Sequence, residues 1–417
     1  MRAEFQKPRG TQDVLPPVSQ KMEQIRHIAL DCAQRFGYLL VETPVFEQTP
    51  VFLRVGESTD IVQHERYSFT DNGGVDLTLR PEGTAAIARA YVENGMYNQP
   101  QPVRMCYYGP MFRRERPSAM RYRQHTQFGA ELYGSVQPEA DAEVILLACA
   151  VVEQIGLADP VIRLNSIGCS ECRPAYREAL ILYYQQRHDQ LCQDCQKRMN
   201  TNPLRLLDCK IDVAIRERAP DIAAFWCEDC ATHYRDLTQL LTSCGRQVSR
   251  EPFLVRGLDY YNRTVFEINH PSMGSQVALF GGGRYDGLAT TLDGPKSTPA
   301  VGFGMGIERI LSAMEENFDL PLMSRIYVAH LPGFEAPSLV LAEELRRKGF
   351  AAESDLMNRS LKAQLRDAGR QSGVVVIVGG REWEQGEVGV KWLENGVQMT
   401  VKREELSDLL RQPEEKG

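Results

Sequence analysis

"VRMCYYGPMFRRERPSAMRYRQHTQFGAELYG", residues 103–134, decides the fold. Two apolar, strand-like runs flank a loop carrying Arg113, Arg114, Arg116, Arg121 and Arg123, which predicts an antiparallel hairpin with guanidinium groups near its tip. Arginine binds phosphate in bidentate fashion, so such a tip suits a phosphate-bearing ligand. One arginine there would read as a solvated basic loop; five do not. On the return run, Gln127, Gly129 and Glu131 alternate onto one face, with Thr126, Phe128 and Ala130 on the other. Polar groups on the inner face of a sheet are costly unless they meet a ligand or partners.

Three other stretches share this character. "VRGLDYYNRTVFE" (255–267) sets an arginine, a glycine, an aspartate and two tyrosines before an alternating, half-buried strand. "PAVGFGMGIERI" (299–310) runs through three alternate glycines into a helix bearing Arg309. Its G-x-G-x-G spacing is not the dinucleotide fingerprint, and no βαβ unit with a later ribose-binding acid follows. Glycines this dense at a strand end let a flat ring approach the backbone, and Arg309 then points toward phosphate. "LTLRPEGTAAIARAY" (77–91) places Glu82 and Thr84 at a strand-to-helix junction, where they either hold an ammonium group or cap the helix.

The bulk properties bound the class. At 417 residues the chain is long enough for two or three domains, and 43% hydrophobic with 25% charged residues describes an ordinary globular protein. No run of 18 or more apolar residues appears, and the N-terminus lacks the apolar centre of a secretory signal, so a cytoplasmic, membrane-free protein is expected. A formal charge of −7 argues against wholesale nucleic-acid coating and leaves room for a local basic groove.

Eight of the eleven cysteines lie between Cys169 and Cys244. Cys169/Cys172, Cys192/Cys195 and Cys227/Cys230 have the C-x-x-C spacing of zinc ligands; Cys209 and His233 are further candidates. Buried free thiols are the other reading, and spacing alone does not choose four ligands.

Three blocks follow. Residues 1–320 form one large mixed domain. An insertion at about 168–250 starts strand-like, then turns helical, polar and cysteine-rich. From Arg325 the character changes: "RIYVAHL", "APSLVLAEELRRKGF" and "GVVVIVGG" alternate strand, helix and strand. Residues 325–412 are therefore expected to form a small α/β domain with a mostly parallel sheet.

In order, these motifs resemble those of class II aminoacyl-tRNA synthetases, and "RGLDYYNRTVFE" and "GGGRYDGL" (281–288) resemble the two stretches that mark the histidyl-tRNA synthetase family. "VETPVFEQT" (41–49), "PMFRRERP" and "GFGMGIERI" are similar to the three class motifs, the first of which builds a dimer interface. The resemblance covers essentially the whole chain. It implies an α+β fold: an antiparallel catalytic sheet flanked by helices, an inserted Cys-rich domain and a C-terminal α/β anticodon-binding domain.

It also implies ATP-dependent attachment of L-histidine to its tRNA through a histidyl-adenylate, with ATP and Mg²⁺, in a homodimer. By resemblance Glu82, Gly83, Thr84, Gln127, Glu131, Tyr260 and Tyr261 bind histidine. Arg113 and Arg256 are catalytic; Arg113, Glu115, His125 and Arg309 bind ATP; Arg116 meets the tRNA. Gly281 to Arg284 supply close backbone approach. Two positions depart from the family pattern: His125 stands where phenylalanine usually shelves adenine, and Met120 where glycine is common. A non-catalytic, histidine-sensing paralogue is the alternative; such proteins commonly lack the last domain and much of "RGLDYYNRTVFE".

Overall fold

A computed structural model describes residues 5–55, 65–116, 121–273, 278–314, 325–370 and 372–411. The chain divides into two compact units, Met1–Phe318 and Asp319–Gly417.

Among its described residues the first unit has eleven strands: β1 (Leu39–Leu40), β2 (Phe46–Gln48), β3 (Tyr67–Thr70), β4 (Asp76–Leu79), β5 (Val103–Phe112), β6 (Gln124–Tyr133), β7 (Val161–Ser166), β8 (Val248–Arg250), β9 (Asn262–Asn269), β10 (Ala278–Arg284) and β11 (Ala300–Gly306). Eight of them form one sheet in the order β1-β5-β6-β11-β10-β9-β7-β8; β2, β4 and β3 form a small second sheet. The large sheet is antiparallel throughout its centre, and only the outer pairs β1·β5 and β7·β8 run parallel. The expected hairpin is β5–β6, paired from Val103↔Tyr133 to Phe112↔Gln124.

Alternation gives this sheet two unlike faces. Phe128, Ala130, Phe266, Phe303 and Met305 point to one side, against the helices Val18–Arg35, Pro138–Gln154, Glu228–Ser243 and Ile307–Ala313. Burying each large apolar side chain there contributes about 1.5–3 kcal/mol. The other side carries Tyr107, Gln127, Glu131, Gly281, Gly302 and Gly304, brought into line by the pairs Tyr107↔Gly129, Glu131↔Gly302 and Gly281↔Gly304.

The chain between β7 and β8 is helical, with helices Arg173–Gln185, Gln193–Thr201 and Glu228–Ser243. It shares the first unit's cores: Leu237 and Leu241 enter the main core, and Tyr176 and Leu180 join a cluster with Tyr261 and Tyr285. Among the described residues the insertion thus thickens the first unit and shares its cores.

The second unit holds β12 (Arg325–His330), β13 (Ala351–Ser354), β14 (Val374–Val378), β15 (Glu387–Trp392) and β16 (Gln398–Lys402), ordered β13-β12-β14-β15-β16. The parallel expectation holds for β12, β13 and β14, whose crossovers are the helices Glu335–Arg347 and Leu361–Ala368. The last two strands depart from it: β15 runs antiparallel to β14 after the short helix Gly380–Glu384, and β16 antiparallel to β15 after a tight turn at Gly396.

Candidate active site

A cavity of about 650 Å³ opens on the polar face of the large sheet. Of the residues expected to bind ligand, Glu82, Thr84, Arg113, Glu115, His125, Gln127, Arg256, Tyr260, Tyr261 and Arg309 all line it. Glu131 lies just behind, fully buried, and Gly83 is buried in the same wall. Arg116 is exposed and outside the lining, and Met120 falls outside the described residues.

At the junction the capping reading holds for Glu82 but not for Thr84. The Glu82 carboxylate accepts from the Thr84 and Ala85 N–H groups at 2.6 and 2.9 Å, capping the helix Thr84–Glu93. The Thr84 side chain, released from capping, donates to Glu131 Oε1 at 2.7 Å. The Tyr285 hydroxyl donates to the other oxygen of Glu131. Burial pushes the Glu131 carboxyl up to about 8, against the lowering effect of those bonds. A carboxyl buried without a cation favours a ligand that brings N–H donors or positive charge. Gln127 Oε1 is buried with no hydrogen-bond partner among the described residues. Tyr260 and Tyr261 pack at 4.6 Å between centroids and close this end.

The other end is cationic. Arg113 Nε donates to the Pro81 carbonyl at 2.9 Å, Arg309 donates to the Ala278 carbonyl at 3.2 Å, and Arg256 pairs with Glu267 at 2.8 Å. Burial first, then repulsion from Arg121, Arg113 and Arg256, lowers the Arg309 pKa. Burial, reinforced by Arg113 and Arg309, lowers His125 to about 3, so its imidazole is neutral. Fixed cations crowded to mutual repulsion form a ready site for a polyanion.

The glycines also make room within the protein itself. A side chain at Gly302 would collide with the Glu131 carboxylate, and one at Gly281 with the Arg256 guanidinium and the Phe266 carbonyl. They clear space for the protein's own polar side chains to lie along the sheet. Arg284 departs from the expectation: alternation turns it to the opposite face, where it is fully buried against Asp141 and donates to the Ser135 carbonyl at 2.8 Å. Burial raises the Asp141 carboxyl, but Arg284 and then His233 outweigh it and hold it at about 2. Tyr107 and Tyr285 were not anticipated. Tyr107 fills the space over Gly83 and Gly129, and Tyr285 sits edge-on to Tyr133, Tyr260 and Tyr261.

Residues 10–310 match the family model described as histidyl-tRNA synthetase. The chain belongs to the histidyl-tRNA synthetase family. Residues 332–412 match the anticodon binding domain model. The chain is 47% identical over 406 residues to a histidine–tRNA ligase of Fervidobacterium nodosum, covering 96% of each. It is 45% identical over 421 residues to that of Geobacillus kaustophilus, covering 98% of each. An apo histidyl-tRNA synthetase structure from S. aureus superposes with a TM-score of 0.81 at 34% identity, covering 98% of this chain and 100% of that one.

Among the described residues of this family member, the cysteines form two groups able to hold a metal. Cys169, Cys172, Cys227 and Cys230 form one; Cys192, Cys195, Cys209 and Asp212 form the other. His233 belongs to neither. It faces Asp141 at 3.5 Å, because the helix after Cys230 turns it toward the main core. Nothing in the sequence marks Asp212, a lone aspartate three residues after a cysteine, as a ligand. No described helix is long and apolar enough to cross a membrane.

Proposed function

We propose that this chain activates L-histidine with ATP and passes it to the tRNA for histidine. The observation that carries the reading is the one cavity in which Arg113, Arg256 and Arg309 face Glu82, Thr84, Gln127 and Tyr261. ATP enters as its Mg²⁺ complex. The histidine carboxylate attacks the α-phosphorus, pyrophosphate leaves, and the adenylate then gives its histidyl group to the terminal ribose of the tRNA. Charge grows on the phosphoryl oxygens, so preorganised cations supply most of the catalysis. Arg113 and Arg256 serve the α-phosphate, Arg309 the γ-phosphate, and Glu115 and His125 the adenosine. No nucleophile from the protein is needed.

Glu82, Gly83, Thr84 and Gln127 hold the amino acid's charged ends. Glu131, with Tyr260 and Tyr261, grips the imidazole, whose two ring nitrogens a carboxylate and a phenol can satisfy. Arg116 meets the acceptor end of the tRNA. The protein works in the cytoplasm, with residues 1–320 as catalytic domain and 325–412 as anticodon-binding domain. The non-catalytic regulator is not favoured, because the three arginines, the 255–267 stretch and the tail are all present. Charging of tRNA by histidine is the direct test; no charged tRNA from a folded, ATP-binding protein would sink the proposal.

Glu131→Gln should weaken histidine binding more than ATP binding. An amide places an NH₂ group against one of the two hydroxyls, Thr84 and Tyr285, that donate to the Glu131 oxygens, and a mismatched buried partner costs roughly 1 to 3 kcal/mol. Equal losses of the two affinities would mean that Glu131 does not select the side chain.

The protein is proposed to be a homodimer through residues 41–49 and their neighbours. Leu39, Leu40, Val45, Phe46 and Phe69 are exposed there, an apolar surface that a two-fold partner would cover. Light scattering at low micromolar concentration should give twice the 47.1 kDa chain mass; a single-chain mass would contradict this.

The insertion binds zinc through Cys169, Cys172, Cys227 and Cys230. Sγ separations of 3.7 Å (Cys169–Cys172 and Cys169–Cys227) and 3.8 Å (Cys172–Cys230) suit a tetrahedron with Zn–S near 2.3 Å, whose edge is about 3.8 Å.

A further inference from the structure

The second cysteine group lies on the catalytic cavity. Cys192 and Cys209 line the same space as Arg256 and Tyr260. Their Sγ atoms are 3.8 Å apart, far beyond the ~2.05 Å of a disulfide and equal to the ~3.8 Å edge of a zinc tetrahedron. All four ligand atoms, including an oxygen of Asp212, fall within 4.8 Å of one another.

The surroundings are those of a thiolate site. The N–H groups of Ile211 and Asp212 point at Cys209 Sγ from 3.4 and 3.3 Å, and that of Cys195 at Cys192 Sγ from 3.5 Å. The Cys192 N–H orients the Asp212 carboxylate at 3.0 Å. Such bonds fix ligand geometry and tune the ion. Three thiolates with one carboxylate suit zinc better than a hard cation such as Mg²⁺.

The group also closes a strap. Between Cys195 and Cys209 the chain carries Asn202, which donates to the Asp259 carboxylate, and Arg205, which donates to the Gly257 carbonyl at 3.3 Å. Gly257 and Asp259 lie between Arg256 and the Tyr260–Tyr261 pair.

We propose that Cys192, Cys195, Cys209 and Asp212 bind a second zinc ion, which holds the strap against residues 257–259 and so positions Arg256 and Tyr260. The positioning half rests on the catalytic reading above; the metal site does not.

Elemental analysis of the full chain, purified without chelator, should find two zinc ions per chain. Cys209→Ser should carry one, whereas Asp212→Cys, which supplies a fourth soft ligand, should keep two. One ion in the wild type, removed by Cys227→Ser and untouched by Cys209→Ser, overturns the second site. Should Cys209→Ser precipitate, the cobalt-substituted wild type decides: thiolate-to-cobalt absorption matching seven Co–S bonds supports the site, and four overturns it. Histidine-dependent pyrophosphate exchange by Cys209→Ser should lose about tenfold in kcat/KM, the smaller loss expected of a displaced supporting shell, with Asp212→Cys near wild type. Loss of one ion with unchanged exchange overturns the positioning role and leaves the metal site standing. Two ions in a wild type with no histidine exchange overturns the catalytic reading instead.

Discussion

Arg256→Ala should cut the kcat of histidine-dependent pyrophosphate exchange by roughly 10²- to 10³-fold, the cost of removing one preorganised charge stabiliser. The guanidinium lies over Gly281, held by Glu267 at 2.8 Å, so it is in position before charge develops and pays no reorganisation during the reaction. Its interaction grows as the phosphoryl oxygens gain charge, so the loss belongs in kcat and leaves the histidine KM nearly intact. Removing it leaves Glu267 without that cation, but Glu267 is a quarter exposed and water can solvate it. The fold should therefore survive, which circular dichroism can verify. Wild-type exchange by a folded variant would end the catalytic assignment of Arg256.

Removal of the second unit should separate the two chemical steps. A chain ending at Phe318 keeps every residue that lines the cavity and both cores of the first unit. Its pyrophosphate exchange should stay within about tenfold of the full chain, a shift near 1.4 kcal/mol. Aminoacylation should fall on the order of 10²-fold or more, near 3 kcal/mol of lost tRNA binding, chiefly through the tRNA KM. Of the basic residues in the tail, Arg347 is engaged by Glu343 at 3.1 Å and Lys348 by Ser407 at 2.6 Å. Lys362, Arg366 and Arg370 are exposed and recur every four residues along and just past the helix Leu361–Ala368. That spacing puts them on one face, available to an RNA backbone. A truncated protein that folds and charges tRNA normally would show that the tail does not grip the anticodon arm.

The hairpin and its two faces were legible because alternation is a local property of β5 and β6. The same alternation, carried through Gly281 and Gly283, puts Tyr285 on the site face and turns Arg284 to the core. What those glycines accommodate is set by neighbouring strands: Glu131 reaches over Gly302 only because register pairs the two residues. Register between strands far apart in sequence is not written in either strand. The cysteine pairs were visible, yet their division was not, since Cys172 meets Cys230 across 58 residues and Asp212 becomes a candidate ligand only once helices bring it to Cys192. His233 shows the converse: nearness to Cys230 along the chain says little once a helix rotates it toward Asp141. In the tail, a run such as "GVVVIVGG" signals a buried strand but not the direction of the strand that follows.

The central claim, that this cavity activates histidine, is tested most directly by ATP–pyrophosphate exchange measured with each of the twenty amino acids in turn. The account predicts exchange with histidine alone, without added tRNA, and its loss in Arg256→Ala. Exchange with another amino acid in preference to histidine, or none with any while ATP still binds, would contradict it.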